Sequence, residues 1–398
     1  MKTKLLPFVL AVSVCLALFA GCQSSELHSY SEDAAAASPS PSSTDTTAAE
    51  TDFTPAYESY DPDEVMLTVN GIDVTWGELF YWYAYDVSSL ESYFGEITDW
   101  DAECGLDSSK TTREYVLSNA LDTVKNYCGV LSKAEELGVV LSDEDKADLK
   151  TTWESNVANY GSGDEDAFKE YLKKAYVSMT LYDRINEVTK LKEHLFETMF
   201  GANGEKISET DVLEKGAELG YVRAKHILLS TVDDTGAALP DDQIAAKKAT
   251  ADSLLAELKG ITDKTALEAR FDELIAANSE DPGKDYYKDG YTFVSGSGSM
   301  DTTFDAAVSA LKDYELSEVV QTDYGYHIIL RLPLKADAAI EFTSETESTT
   351  LAYYVAQDMF TAESDSWAQE SKVEYKDAYN KMDLSEVFAK AIRPAAAG

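Results

Sequence analysis

The chain opens on an apolar run, Leu5 to Ala20, behind the basic residues Lys2 and Lys4. The run falls short of the roughly 20 apolar residues that a membrane-spanning helix needs. A basic start followed by a short apolar stretch predicts a secretory signal peptide over residues 1–21. From Gln23 to about Asp63 the apolar periodicity vanishes: Ser, Thr, Ala, Pro and acids follow one another without a single Lys or Arg. Such a composition cannot bury enough apolar surface to offset its chain entropy, so residues 22–63 are expected to be a disordered acidic tether. Alternation returns at Val65-Met-Leu-Thr-Val and turns at Asn70-Gly71, a strong hairpin signal.

Thr75 with Glu78 three residues on reads as a capping box, opening a helix from Trp76 to about Tyr93. That helix is crowded with aromatic residues, among them Trp76, Phe80, Tyr81, Trp82, Tyr83, Tyr85 and Tyr93. They serve either as core or as a surface for unfolded chains. Helical patterns follow over 111–137, 142–159, 164–200 and 208–219. At Tyr221 the texture changes to a β-type run, then helices near 241–259 and 263–277, a Gly/Ser-rich stretch and further strands. The last, from Gly325, stops at Pro333, which cannot donate to a ladder. A helical pattern over about 344–371 and a Val373-Glu-Tyr-Lys run close the chain. This tail is too short to fold alone. The pattern therefore predicts an α+β chain: a mostly helical domain begun by residues 64–220, an inserted domain at 221–334, and residues 335–398 returning to the helical part.

Charge narrows the partners. With 73 acidic against 33 basic residues and a net charge of −40, the surface repels nucleic acid and anionic lipid head groups. The leader ends in Leu-Phe-Ala-Gly-Cys, Leu18 to Cys22, which resembles the lipobox of bacterial lipoproteins. That resemblance implies cleavage before Cys22, lipidation of its thiol, and an extracytoplasmic protein held at the membrane by lipid alone. Of the four cysteines only Cys104 and Cys128 would then remain, at a spacing that fits no zinc or redox motif. A disulfide and two buried free thiols are both compatible with them.

Histidine is scarce, yet two of the four, His226 and His327, lie in the runs that look like the first and last strands of the inserted domain. On position alone they read as hydrogen-bonded core histidines. The wider set changes that: Ala224-Lys-His-Ile-Leu-Leu, Phe271 to Gly283, Asp289-Gly-Tyr-Thr-Phe, Met300, Phe304 and Gln321-Thr-Asp-Tyr-Gly-Tyr-His-Ile-Ile. In order, spacing and residue type this resembles the parvulin family of peptidyl-prolyl isomerases. The resemblance implies a four-stranded antiparallel sheet wrapped by helices, with His226 and His327 at the floor of the site. Asp281, Thr322 and Tyr324 would share their polar network, and Met300 and Phe304 would hold the prolyl ring. Between Asp289 and Met300 the family's Gly-Asp-Leu-Gly-Phe-Phe is replaced by Gly-Tyr-Thr-Phe-Val, so the pocket position implied there falls on Tyr291 or Phe293.

The helical part resembles the chaperone portion of exported parvulin foldases, with unfolded or newly exported polypeptides as partners and homodimerisation left open. Prolyl isomerisation calls for no cofactor, metal or nucleophile. The loop after the first strand, Thr231-Val-Asp-Asp-Thr-Gly with Asp241 and Asp242 beyond it, lacks the basic cluster that phosphate recognition needs, so unphosphorylated X-Pro substrates are expected. Two other readings remain: a parvulin fold that binds clients without catalysis, and a solute-binding lipoprotein. The second would need two lobes of repeated β-α units, which the pattern does not show.

Overall fold

The computed structural model describes residues 51–342 and 348–394. The expected leader, Cys22 and the tether up to residue 50 lie outside the described residues. Chain order is α1 (Thr54–Tyr57), β1 (Val65–Val69), β2 (Ile72–Thr75), α2 (Trp76–Phe94), α3 (Thr112–Leu137), α4 (Asp143–Tyr160), α5 (Glu165–Lys174) and α6 (Met179–Phe200). Next come α7 (Glu209–Glu218), β3 (Tyr221–Ser230), α8 (Asp241–Leu258), α9 (Lys264–Asn278), β4 (Tyr291–Val294), α10 (Thr302–Ala310), β5 (Val320–Gln321) and β6 (Gly325–Leu332). The chain finishes with β7 (Ala339–Phe342), β8 (Ser348–Thr350), α11 (Leu351–Glu370), β9 (Val373–Tyr375), α12 (Asp377–Lys381) and α13 (Leu384–Phe388). These described residues fall into two compact units, one of 51–198 with 359–394 and the other of 199–342 with 348–358.

In the first unit, β9 pairs antiparallel with β1, Leu67 facing Tyr375, and completes a sheet of order β2-β1-β9. The α2 aromatics are mostly consumed by the core: Trp76, Phe80, Tyr81 and Tyr83 are buried, whereas Tyr93 and Phe94 stand exposed. Part of the expected tether is ordered. Phe53 and Ala56 are buried, Tyr57 lies 5.1 Å from Phe80 between ring centroids, and Trp76 Nε1–H donates to the Tyr57 carbonyl at 2.6 Å. A few aromatic residues anchor this stretch, which its average composition conceals. The expected 164–200 helix is two helices. Tyr176, in the left-handed region at φ 59°, interrupts it and sends its ring against Phe53, Tyr57 and Phe80. Cys104 and Cys128 are both buried and unbridged.

The second unit is built on an antiparallel sheet of order β4-β3-β6-β5. Side chains alternate across a strand, and this sheet is covered on both faces. Ile227, Leu229, Ile328 and Leu330 pack with Leu255 and Leu258 of α8 and Phe271 of α9. Val222, Ala224 and Ile329 pack on the other face with Phe293 of β4 and Phe304 and Val308 of α10. That double cover explains why nearly every residue of β3 and β6 is buried, the polar ones included. The unit is wider than the 221–334 segment marked by the change of texture. It takes in α7, whose Gly216 lets Leu351 and Leu334 approach closely, and the β7–β8 pair. The expected 344–371 helix accordingly begins later, at Leu351.

Candidate active site

Strand parity places the two histidines. His226 faces Ile329 and His327 faces Leu228 across the β3–β6 ladder, so both project from the α10 face as a diagonal pair. Their Nδ1 atoms lie 3.1 Å apart and their rings are nearly parallel at 24°. The loop after α9 brings in a carboxylate. Ser279 Oγ accepts from the Leu228 N–H at 3.1 Å, tying this loop to β3, and Asp281 Oδ2 comes 3.3 Å from His226 Nε2. The Tyr291 hydroxyl donates to the same Oδ2 at 2.7 Å, and the Gly283 N–H donates to Oδ1 at 3.1 Å. At the other end Thr322 Oγ1 lies 2.9 Å from His327 Nε2, and the Tyr324 backbone N–H donates to that hydroxyl at 3.2 Å.

One proton arrangement satisfies every partner with both imidazoles neutral. The Thr322 hydroxyl donates to His327 Nε2, His327 Nδ1–H to His226 Nδ1, and His226 Nε2–H to Asp281. The electrostatics agree. Burial first, and His226 beside it second, push the His327 imidazole down to about 4, against the opposing pull of Asp301 and Asp281. Burial alone would raise Asp281, but the His226 contact, the Tyr291 hydroxyl and the Gly283 N–H outweigh it and hold this carboxyl below its ordinary range. Burial and then Asp281 push the Tyr291 hydroxyl far up, which keeps it a donor.

Above this chain of hydrogen bonds is a cavity of about 240 Å³, with Leu228, Met300 and Phe304 as its apolar wall and the histidines as its floor. Asp301 caps α10 by accepting from the N–H groups of Thr303 and Phe304, and so fixes Phe304, whose ring meets His226 and His327 edge-on at 5.1 and 5.4 Å. Met300, Phe304, His226, His327 and Asp281 thus meet at one place. Thr322 is absent from the cavity lining and reaches the site through His327, from behind. Tyr324 enters the network through its backbone N–H alone, and its ring stands 60% exposed at the cavity mouth. Phe293 is not part of the lining. It is buried behind Phe304 at 6.4 Å, because it sits two residues further along β4 than Tyr291, which does line the cavity. Pro282 and Asp301 also line it and were not expected from the sequence; each adjoins a residue that was. Among the described residues, no group of three His, Cys, Asp or Glu side chains is placed to hold a metal ion.

Residues 206–331 match the model of the PPIC-type peptidyl-prolyl isomerase (PPIASE) domain family. The foldase protein PrsA of Staphylococcus aureus is 28% identical over 247 residues, which span 61% of this chain and 70% of that protein. Among solved structures, PrsA from Bacillus subtilis matches at 22% identity over 83% of this chain and 99% of that one, with a TM-score of 0.24. A structure from the work on the SurA-like chaperones PEB4 and Cj1289 of Campylobacter jejuni matches at 25% identity over 59% and 88%, with a TM-score of 0.23. The chain therefore carries a PPIC-type peptidyl-prolyl isomerase domain over residues 206–331 and is similar beyond it to PrsA-type foldases.

Proposed function

We propose that this extracytoplasmic foldase works on X-Pro bonds of exported polypeptides in the cavity above His226 and His327, with the prolyl ring held by Met300 and Phe304. The observation that carries the assignment is the closed hydrogen-bond chain from Thr322 to Asp281 lying directly beneath an apolar wall. Rotation about a prolyl bond breaks amide resonance against a barrier of roughly 20 kcal/mol. The planar amide is the more dipolar form, so a cavity that excludes water and presents neutral groups favours the twisted one. Binding that is tighter for the twisted amide than for the planar one is what lowers the barrier. His327, pushed down to about 4, is neutral near pH 7 and fits this requirement. The Asp281 charge is taken up by His226, Tyr291 and the Gly283 backbone. His226, His327, Asp281 and Thr322 therefore tune the floor of the site and form no covalent bond to the client.

Roles divide between ring holding and tuning, and kinetics can separate them. For Phe304→Ala the main expected effect is a raised KM, from loss of the ring-holding wall. For Thr322→Val, which leaves His327 Nε2 without its donor, the expected effect is a fall in kcat of about tenfold, equivalent to about 1.4 kcal/mol. Equal effects of both substitutions on kcat and KM would contradict the division of roles.

Cys22 is assigned as the lipid attachment point on the strength of the lipobox-like Leu18 to Cys22 segment. Among the described residues no helix is long and apolar enough to cross a membrane. Unfolded clients are assigned to the helical unit. The ordered part of its α2 keeps few aromatics free, so plain core is the reading favoured for most of that helix.

A further inference from the structure

In the helical unit, α4, α5 and α6 enclose an open groove of about 610 Å³. One wall is apolar and aromatic: Leu149 and Trp153 stand one turn apart on α4, and Met179 and Tyr182 lie in the first turn of α6. The half-buried Trp153 ring is held edge-on by Phe168 at 5.0 Å and by Tyr182 at 5.4 Å between centroids, so this wall is set before anything binds. Met179, 38% exposed, adds a flexible, polarizable edge. Charge in the groove is one-sided. The lining sets one ammonium, Lys169, against three carboxylates, and Lys169 is taken up by Glu165 at 2.7 Å. Asp183 and Glu187 remain, one turn apart on α6, with no cation partner for either among the described residues. The cations flanking them on α6 and on neighbouring α4 are engaged elsewhere: Arg184 by Glu78, Lys190 by Asp148, Lys146 by Asp143 and Lys150 by Glu154. Lys173, one turn beyond Lys169 on α5, is not part of the lining.

We propose that this groove seats a segment of an unfolded client in which Lys or Arg lies beside a large apolar residue. The inference rests on the assignment of unfolded clients to the helical unit. The wall of Leu149, Trp153, Met179 and Tyr182 covers the apolar residue, and removing that residue from water supplies the attraction. A neighbouring Lys or Arg lays its methylene stem along the aromatic rings while its charged head reaches Asp183 or Glu187, and a tryptophan face itself attracts a cation. Charge complementarity disfavours the other occupants. The segment from Gln23 to Asp63 abounds in acids and holds no Lys or Arg, and a second copy of the chain would bring its own net charge of −40. The groove would thus select among clients by charge, apart from the isomerase cavity and without any need for proline.

The test uses the full chain and proline-free peptides in which a Leu-Phe pair is flanked by two Lys, two Gln or two Glu, with Kd from calorimetric titration as the readout. The Lys peptide is expected to bind about threefold to tenfold more tightly than the Gln peptide, the range two partly exposed ion pairs supply, and the Glu peptide more weakly than either. The preference should shrink as salt is raised. In Asp183→Lys/Glu187→Lys the order of Lys and Glu peptides should invert, and in the milder Asp183→Asn/Glu187→Gln the ratio should collapse towards one. Met179→Ser should weaken all three peptides alike, and Ala-Pro isomerisation should be unchanged in every variant. Peptides bound without regard to charge, or ratios that the substitutions leave unchanged, overturn the groove while a wild type that still suppresses client aggregation keeps the helical unit as the client site. A sedimentation coefficient that responds to the substitutions while peptide affinity does not places a second copy in the groove and likewise overturns the proposal. A wild type that neither binds the peptides nor suppresses aggregation overturns the assignment of clients to the helical unit, and the groove with it.

Discussion

At the scale of single residues the site has a definite response to acid. The His327 imidazole is pushed from 6.5 down to about 4, so between those values the unfolded chain binds a proton that the folded chain refuses. Stability must therefore fall as pH drops through that window, by on the order of 3 kcal/mol if the whole shift is realised. Asp281 acts in the same sense but in a more acidic window. Its carboxyl is held below the ordinary value of 3.8, so its contribution is present above that pH and is lost only in stronger acid. Chemical denaturation of the wild type and of His327→Phe at pH 7, 5.5 and 4.5 would check the first window. The wild type should lose stability progressively, and the variant should lose less. A variant with the same pH slope would show that His327 is not the group responsible. Tyr291 offers a second check, because its hydroxyl shares Asp281 Oδ2 with His226. In Tyr291→Phe the Asp281 carboxyl loses a donor and its pKa rises, so the acid limb of the kcat/KM profile should move to higher pH, while a fixed limb would contradict the link.

At the scale of elements, two positions are expected to decide whether the sheet and the helical core form. Gly325, at φ 150° where β6 begins, would place an added Cβ 2.3 Å from the Leu229 carbonyl oxygen. Gly325→Ala should cost about 1–3 kcal/mol of stability and disturb the ladder that sets the histidine pair. Trp76→Ala empties a fully buried site and should cost about 3–5 kcal/mol. Tyr93→Ala, on an exposed residue of the same helix, should stay within about 0.5 kcal/mol. Urea titrations of the three variants would rank them, and a costly Tyr93→Ala would argue that α2 is packed differently. Much at this scale was legible from the pattern. The capping box at Thr75 starts α2 where expected, and the β3 and β6 runs carry their histidines on the face that period two requires. What escaped were choices made by distant partners. Tyr176 breaks a good helical pattern because its ring is wanted by Phe53, Tyr57 and Phe80, and Phe53 orders a polar segment because Phe388 lies 5.5 Å away. Local sequence contains neither fact. Tyr291 lines the cavity and Phe293 is buried beside Phe304, and because the two share one face of β4 the local pattern does not separate them.

At the scale of the whole molecule, the folded body carries the isomerase domain, and the proposal places before it a leader, a lipid-accepting Cys22 and an acidic segment. The acidic surface, at −40, favours solubility and works against adhesion to anionic lipid head groups, so lipid at Cys22 would be the principal hold on the membrane. Cys22→Ser should accordingly move the protein from the membrane fraction to the soluble fraction while leaving peptide isomerisation unchanged; a variant that stays membrane-bound would remove Cys22 from that role. If proximity to emerging chains matters, the released form should also support folding of exported clients less well than the anchored form. The central claim is that the histidine-floored cavity isomerises prolyl bonds, and it can be read in one paired assay. Cis-to-trans rates of an Ala-Pro peptide and suppression of client aggregation would be measured on the same preparations of wild type, His226→Ala and His327→Ala, each shown to be folded by circular dichroism. The wild type should accelerate isomerisation, both variants should lose at least about tenfold in kcat/KM, and all three should suppress aggregation alike. A wild type that leaves the peptide rate unchanged, or folded variants that isomerise as fast as it does, would contradict the assignment.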